Sequence, residues 1–487
     1  MTSESQNAPR SATDAAGSAQ STPDSASTAD APPAGKGWRQ IKVIVPAVFL
    51  AAGLIAAFIY RHQRLADLPD PGDPFAAVAD EVLAHEENAF ADYAAAANQL
   101  VAADALLATE RDEALERGWD SATPNVRDWL AQNRPALDHW RRGAAKPAFR
   151  FEERENLVSL EQLASRQTLF DRLSELAKAA RLEAARLEAQ GDVAEAWNWH
   201  RAVFRCGRHR AQHGLFDDRI AGTKLHELAV DGIRRWSAAP GVDADLLSRA
   251  LADVREDDRL TPSVETLLRN EYIAAMRRLD DPEWFAKAGR DGGAGPIPLF
   301  FLHEPEYSRR VVRHVFANWR RELVEPLPTR QPLKSNAPRI YAAAPEHADA
   351  PVAERLRGWL DESVIAPMTL PAVPQLDEAI LSERARQTCL LAALAVQRAF
   401  RTDGRLPERL DELVGEAFET PTDPYSLTGE PIRYRREDAE AIVWSVGSDG
   451  VDGEGRSRLE GGVSDDIGLR IDTPSSARPP ASGDAKE

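Results

Sequence analysis

The chain has 487 residues, 43% of them apolar and 28% charged, so it is long enough for two or three domains and most of it is expected to be globular. Its formal net charge of −18 excludes an ordinary nucleic-acid surface, which needs clustered positive charge, and no nucleic-acid partner is expected. Two cysteines, Cys206 and Cys389, are too few for a disulfide framework. They are expected to stay free and buried in two helices, with a single bridge as the alternative.

Residues 1–37 are Ser, Thr, Ala, Asp, Pro and Gly with almost nothing large and apolar, the composition of a disordered tail. From Val43 to Tyr60 the chain reads VIVPAVFLAAGLIAAFIY, eighteen residues without a charge. That length crosses the hydrocarbon core of a bilayer as a helix. Trp38 and Tyr60 flank it as an aromatic belt would, and Pro46 is expected in its first turn, where a missing N–H is harmless. Lys36, Arg39 and Lys42 precede it, against Arg61 and Arg64 after it. The positive-inside rule then places the tail in the cytoplasm and the large domain outside, in a single-pass protein of the cell membrane that contacts lipid through residues 43–60. Residues 61–74, with the run LPDPGDP, are expected to form a spacer holding the globular part off the membrane.

Residues 75–289 carry helical periodicity and little strand alternation, predicting a helical bundle or an irregular α-solenoid. Val193, Ala196, Trp197, Phe204 and Ala211 line one helical face, with Gly191 ending the helix before it and Asp192 as N-cap. Leu225, Leu228, Ala229 and Trp236 form another stripe. A third helix is expected to open with Thr261 as cap and Pro262 at the first helical position. The stretch LEAQGDVAEAWNWHRAVFRCGR resembles a tetratricopeptide hairpin, but no 34-residue register repeats elsewhere.

Residues 290–375 form an irregular, Pro-rich connector in which DGGAGPIP reads as a flexible loop and Tyr307–Leu323 as a helix that is basic on one side. Gly292, Gly293 and Gly295 do not have the spacing of a phosphate cradle. Residues 376–471 read as a small α+β module. A helix over Glu378–Phe400 contains TCLLAALAV, too short to span a bilayer and therefore buried in protein. GRLPERLDELV and the turn-rich TPTDPYSLTGEP follow, then IRYRR and AIVWSV as a β-hairpin. Residues 472–487 are a polar tail. The fold class is thus mainly α, with an N-terminal transmembrane helix, a helical body and a small C-terminal module.

That order of helix, Asp-Pro loop, Tyr-Arg strand, Ser445–Val446–Gly447–Ser448–Asp449–Gly450 and late Asp465–Asp466–Ile467 resembles the C-terminal half of the type II secretion major pseudopilin. The resemblance covers roughly residues 378–471. The chain beyond the anchor also resembles large families of membrane-anchored bacterial proteins that carry this module. In the pseudopilins this loop binds calcium, and the resemblance implies Asp449, Asp452, Asp465 and Asp466 as carboxylate ligands, with backbone oxygens completing the shell. The spacing is not that of an EF-hand, and a solvated acidic loop is the alternative. The transmembrane run lacks the processing site and the mature Glu of a fibre subunit.

Cys206, His209 and His213 are spaced to share a helical face, a candidate donor set for zinc or copper. Arg205, Arg208 and Arg210 crowd the same turns, so exposed helix surface is the expected reading. His85–Glu86, His226–Glu227 and His303–Glu304 each lack the second His of a zinc-protease helix, and no nucleophile elbow, Walker loop or dinucleotide fingerprint occurs. The expected function is non-catalytic, in contacts with other envelope proteins or in structure. The alternatives are an accessory of a secretion or pilus-like system, and a hydrolytic enzyme whose site is assembled from distant helices.

Overall fold

Helix α1 runs from Lys36 to Ala66. Its span Ile44–Ala66 is long and apolar enough to cross a membrane, and the apolar stretch is not buried by the protein. Pro46 lies inside this helix rather than in its first turn, because the helix begins ten residues earlier; the ring costs it one backbone hydrogen bond. The computed structural model describes residues 36–76, 84–151, 160–212, 214–324, 350–371, 373–413, 418–437, 440–456 and 464–473. Most of the two expected tails and residues 325–349 of the connector lie outside these. The chain divides into two compact units, Met1–Ile59 and Tyr60–Glu487, and every helix and strand after α1 belongs to the second.

Helices α2 (Phe90–Gln99), α3 (Ala105–Arg117), α4 (Pro124–Gln132), α5 (Arg134–Ala145), α6 (Leu160–Ala189), α7 (Val193–Ala211), α8 (Phe216–Ala238) and α9 (Ala244–Asp258) share one core. Local chemistry sets their ends. Asp104, Thr123, Asp192 and Asp243 each cap a helix by accepting a backbone N–H from its first turn. Gly191, at φ 82°, provides the left-handed turn between α6 and α7. The expected stripes are buried except for half-buried Leu228, and Trp197 and Trp236 meet with ring centroids 4.8 Å apart. Their indole N–H groups donate to Asp253 and to the carbonyl of Val193, so both are satisfied core residues. At the α7–α8 crossing the backbones come so close that a Cβ on Gly222 would stand 2.8 Å from the Gly207 carbonyl oxygen.

A second core gathers α10 (Val264–Asp280), α11 (Pro282–Asp291), α12 (Pro296–Phe301), α13 (Glu304–Val324), α14 (Ala350–Glu362) and α15 (Ala366–Thr369). Helix α10 starts two residues later than expected: Ser263 caps it through the N–H of Thr266, while the Thr261 hydroxyl is turned to Asp258. The expected loop DGGAGPIP ends inside α12, because Pro296 at the first helical position is already fixed in helical φ. The segment after α1 is not a free spacer. Leu68 and Phe75 are buried in the second core, and the basic side of α13 holds the chain between them. Arg310 donates to the Leu68 carbonyl, His314 bonds the Pro69 carbonyl, Arg313 pairs with Asp70 and Arg320 reaches the Pro74 carbonyl.

Helix α16 (Val373–Asp403) joins the two cores. Leu376 and Ile380 belong to the second, whereas Cys389 to Val396 pack into the first against α8 and α9. Its other face carries an antiparallel sheet of order β1-β2-β3, formed by Arg433–Glu437, Glu440–Ser445 and Ile467–Asp472. The expected hairpin pairs Arg433 with Trp444 and Glu437 with Glu440. Strand β3 begins within the expected terminal acidic stretch, and the alternation of Ile467, Leu469 and Ile471 is its signal.

Adding a methyl at Gly222 should cost more through the carbonyl contact than it gains in helix propensity. Gly222→Ala is expected to lower unfolding free energy by about 1 kcal/mol. Gly358→Ala on α14, where a Cβ meets nothing within 4 Å, should instead stabilise. Denaturant unfolding of both variants is the check. A second test concerns Glu271, buried on α10, whose carboxylate accepts the Phe216 N–H at the start of α8 at 2.6 Å. Burial raises its pKa from 4.5 to about 7. The native state therefore holds this proton more tightly than the unfolded chain does, and stability from this group falls as pH rises through that interval. Glu271→Gln keeps an acceptor but cannot titrate, so the stability difference between variant and parent should grow in the variant's favour from pH 4.5 to about 7. Equal pH slopes for the two proteins would refute this.

Candidate functional site

The loops at the end of the sheet contain the four aspartates read as metal ligands. Each carboxylate instead tethers a turn. Asp449 accepts the N–H groups of Val451 (3.0 Å) and Asp465 (3.1 Å). Asp452 accepts from the Trp444 indole (3.0 Å), the Glu454 N–H (3.0 Å) and Arg433 (2.9 Å). Partial burial opposes ionisation of Asp452, but these donors together hold its carboxyl below the ordinary value. Asp465 accepts the Ser448 hydroxyl at 3.1 Å. Asp466, 3% exposed, takes the N–H groups of Gly453 and Gly455 on one oxygen, while its Oδ1 is buried without a hydrogen bond.

The centre of this arrangement is a fifth carboxylate, Asp423 of the Asp-Pro loop, which is not among the ligands that the pseudopilin resemblance implies. It is buried and accepts Tyr425 N (3.0 Å), Ser445 Oγ (2.5 Å) and Val446 N (3.0 Å), with Arg433 at 3.4 Å. Asp423 therefore ties the loop before β1 to the end of β2. Position 447 must be glycine: φ is 66°, and a Cβ would overlap the Asp465 carbonyl. The signal in the sequence is the Asp before Pro424, a turn-forming pair. Among the described residues no three His, Cys, Asp or Glu side chains come together as a metal site, and the Arg433 guanidinium lies among the carboxylates. One unpartnered oxygen does not make the six to eight oxygen ligands that calcium takes. The described residues thus fit a hydrogen-bonded lock and do not fit a calcium shell.

The expected exposed face of α7 is corrected by the structure. Cys206 and His209 are both fully buried in the first core, and His213 lies outside the described residues. His209 Nδ1 is 2.9 Å from the Tyr93 hydroxyl, and burial lowers its pKa to about 3. Burial also raises the Cys206 thiol to about 11, so it is an unreactive core residue. Cys206 and Cys389 are both free. Of the arginines expected to mark a wet surface, Arg208 and Arg210 are buried and Arg205 is half-buried. Arg205 and Arg201 pair with buried Asp257, and Arg208 is 2% exposed.

Arg208 and Arg219 both ion-pair with Glu383 of α16, and all three are 2% exposed. Arg208 also reaches Asp258 at 2.8 Å. Burial lowers Arg208 to about 10, and burial with the neighbouring Arg208 and Arg384 charges lowers Arg219 to about 9. His226 and Gln387 are buried close to these charges in sequence and carry side-chain atoms without hydrogen bonds. Such a triad is costly to desolvate and is best explained as fixing how α16 seats on α7 and α8. A cavity of about 410 Å³ is lined by Arg141, Asn198, Arg201 and Arg205, whose cations pair with Glu195, Asp253, Glu256 and Asp257.

A second buried pair lies where α1 ends. Arg64 Nη1 is 3.0 Å from Glu304 Oε2, with the two side chains 2% and 0% exposed. Arg64 also donates to the carbonyls of Leu302 and Glu362, and its guanidinium lies 3.6 Å from the Tyr307 ring centroid. The other oxygen of Glu304 accepts Ser308 Oγ (2.9 Å), Ser363 Oγ (2.5 Å) and Ile365 N (3.0 Å). In the sequence Glu304 stands out only as part of an incomplete zinc motif. In the structure it is the residue that joins α13, the α14–α15 turn and the end of α1.

Compared with known proteins, the chain matches no family model, no curated protein and no solved structure. Its functional reading therefore rests on its own geometry.

Removing one member of a desolvated ion pair strands the other charge. Arg64→Met should lower the unfolding free energy of the detergent-solubilised full chain by about 3 kcal/mol. A loss below about 1 kcal/mol would show that Glu304 is satisfied without it. For the aspartate loop, adding calcium or a chelator should leave the melting temperature unchanged, whereas a saturable upward shift with calcium would overturn the lock reading.

Proposed function

We propose that the protein is a single-pass membrane protein whose helical body lies outside the cytoplasm and acts as a non-catalytic interaction or structural domain of the cell envelope. The observation that carries this reading is the Arg64–Glu304 joint, which fixes the residues directly after the apolar run into the body's second core. A domain that only needed tethering could hang on a flexible linker; here the linker is part of the fold. The charge asymmetry across α1 supports the outward orientation. The ion pairs of α7, α8 and α9 are spent on internal cohesion, as suits a body that presents surfaces to partners in the envelope.

Helix α16 with its three-stranded meander and the Asp423 lock supports reading the C-terminal part as a pseudopilin-like module borrowed as a structural cap. An accessory role in a secretion or pilus-like system is the second reading, and it draws on this arrangement alone.

The test is membrane fractionation joined to protease accessibility. The full chain should resist alkaline carbonate extraction, and its body should be cleaved in spheroplasts with intact inner membranes while the N-terminal tail is protected. Release by carbonate would remove the anchor reading. A protected body with a cleaved tail would reverse the orientation.

A further inference from the structure

Helix α12 is a short element whose surface chemistry is unlike that of the other helices in the body. Its sequence PIPLFF, with Leu302 following, has no polar side chain. Leu299 turns inward, at 6% exposure, and Phe301 and Leu302 are half-buried, whereas Ile297 and Phe300 are 69% and 53% exposed. They are three residues apart, so they share one face of the helix. Other exposed large apolar residues of the body, such as Leu106 and Leu427, stand singly in sequence.

The backbone of α12 is equally unusual in how little hydrogen bonding it leaves to solvent. A helix start ordinarily presents four N–H groups without partners. Here Pro296 and Pro298 have none to present, and the Leu299 N–H is bonded to the Gly295 carbonyl. At the other end, the Phe300 carbonyl accepts from His303 N and from Arg61, and the Leu302 carbonyl accepts from Arg64. With these carbonyls satisfied and few free N–H groups, the segment loses less on leaving water than an ordinary helix end would.

Position along the chain says which environment that is. Arg61 is the first charged residue after the run Val43–Tyr60, so covalent continuity keeps it at the level where the run leaves the hydrocarbon. Its guanidinium lies 4.2 Å from the Phe300 ring centroid. Phe300 is thereby held at the depth of Arg61.

We infer that α12 is a membrane-interface element: Ile297 and Phe300 insert into the headgroup–acyl boundary of the bilayer beside the point where the chain exits, with Arg61 facing lipid phosphates. This rests on the proposed reading of α1 as membrane-spanning. Apolar helix faces of this kind bury at shallow depth and are not transmembrane. The occupant is lipid rather than a protein groove because the chain itself delivers the face to the bilayer surface.

The two native cysteines are fully buried, which leaves engineered thiols as the accessible ones. Full-length Ile297→Cys, Phe300→Cys, Leu106→Cys and Leu54→Cys variants would each be labelled with an environment-sensitive fluorophore. Each would be reconstituted in nanodiscs of phosphatidylcholine and phosphatidylglycerol. Phosphatidylcholine spin-labelled near the glycerol backbone should quench the labels at 297 and 300 at least about twofold more than the label at 106, as shallow insertion requires. The label at 54 reports on the anchor, through lipid spin-labelled deep in the chain. Quenching at 54 without quenching at 297 and 300 would overturn this inference alone. Quenching at none would overturn the anchor reading with it. Shielding of 297 and 300 from aqueous iodide without lipid quenching would assign the face to a second copy of the chain and so also refute the lipid assignment.

Discussion

The structure depends on a buried ion pair at the end of α1. Glu304 is entirely out of water, and an isolated carboxylate there would be very costly. Four donors offset that cost, and they come from three elements: Arg64, Ser308, and Ser363 with the backbone of Ile365. Because a half-satisfied carboxylate is worse than none, the set is cooperative: the start of α13, the α14–α15 turn and the end of α1 must all be present together. The basic face of α13 then continues the same logic along residues 68–74, exchanging what would have been a loose connector for a row of charge-assisted hydrogen bonds.

The first core uses the same device at a larger scale. Helix α7 looks amphipathic and polar when written out, yet most of its residues are buried. Acids on α9 and α16 meet its arginines: Asp253 and Asp257 pair with half-buried Arg201, and Asp258 and Glu383 with buried Arg208. Pairs of this kind add less stability than an apolar core of equal volume, but they penalise every misaligned packing of the helices. Close contact at Gly207 and Gly222 sharpens that selection, since sliding either helix would bring side chains onto the other's backbone.

This burial explains which parts of the fold are legible in the sequence. The stripe through Val193, Trp197 and Phe204, the Gly191–Asp192 turn and the β1–β2 hairpin follow from local periodicity and turn chemistry, and they are where those rules put them. His209 and Arg208 read as surface because their surroundings come from helices distant in sequence, and no local pattern encodes a buried charge pair. The start of α10 differs because two hydroxyl residues compete for one cap, and only the alternative partner of Thr261, Asp258, decides between them. In the aspartate loop the residues stand where the sequence order puts them, but Asp423 lies some twenty residues before the turn it secures. Its role emerges only once β1 and β2 are paired. Glu304 is hidden for the same reason.

Helix α16 has a consequence for biosynthesis. The first core is assembled from residues 89–254 together with Cys389 to Val396 and strands of the sheet, so its N-terminal helices are made long before the segment that covers them. During synthesis they would leave the ribosome with the seat of α16 uncovered, including the Arg208 and Arg219 cations that await Glu383. The closing contacts span more than 150 residues, the kind of late, non-local pairing that slows folding and prolongs exposure of apolar surface. Until Glu383 and the run Cys389 to Val396 are made that seat stays uncovered, and a polypeptide ending before them would leave Arg208 and Arg219 without the acid that pairs them.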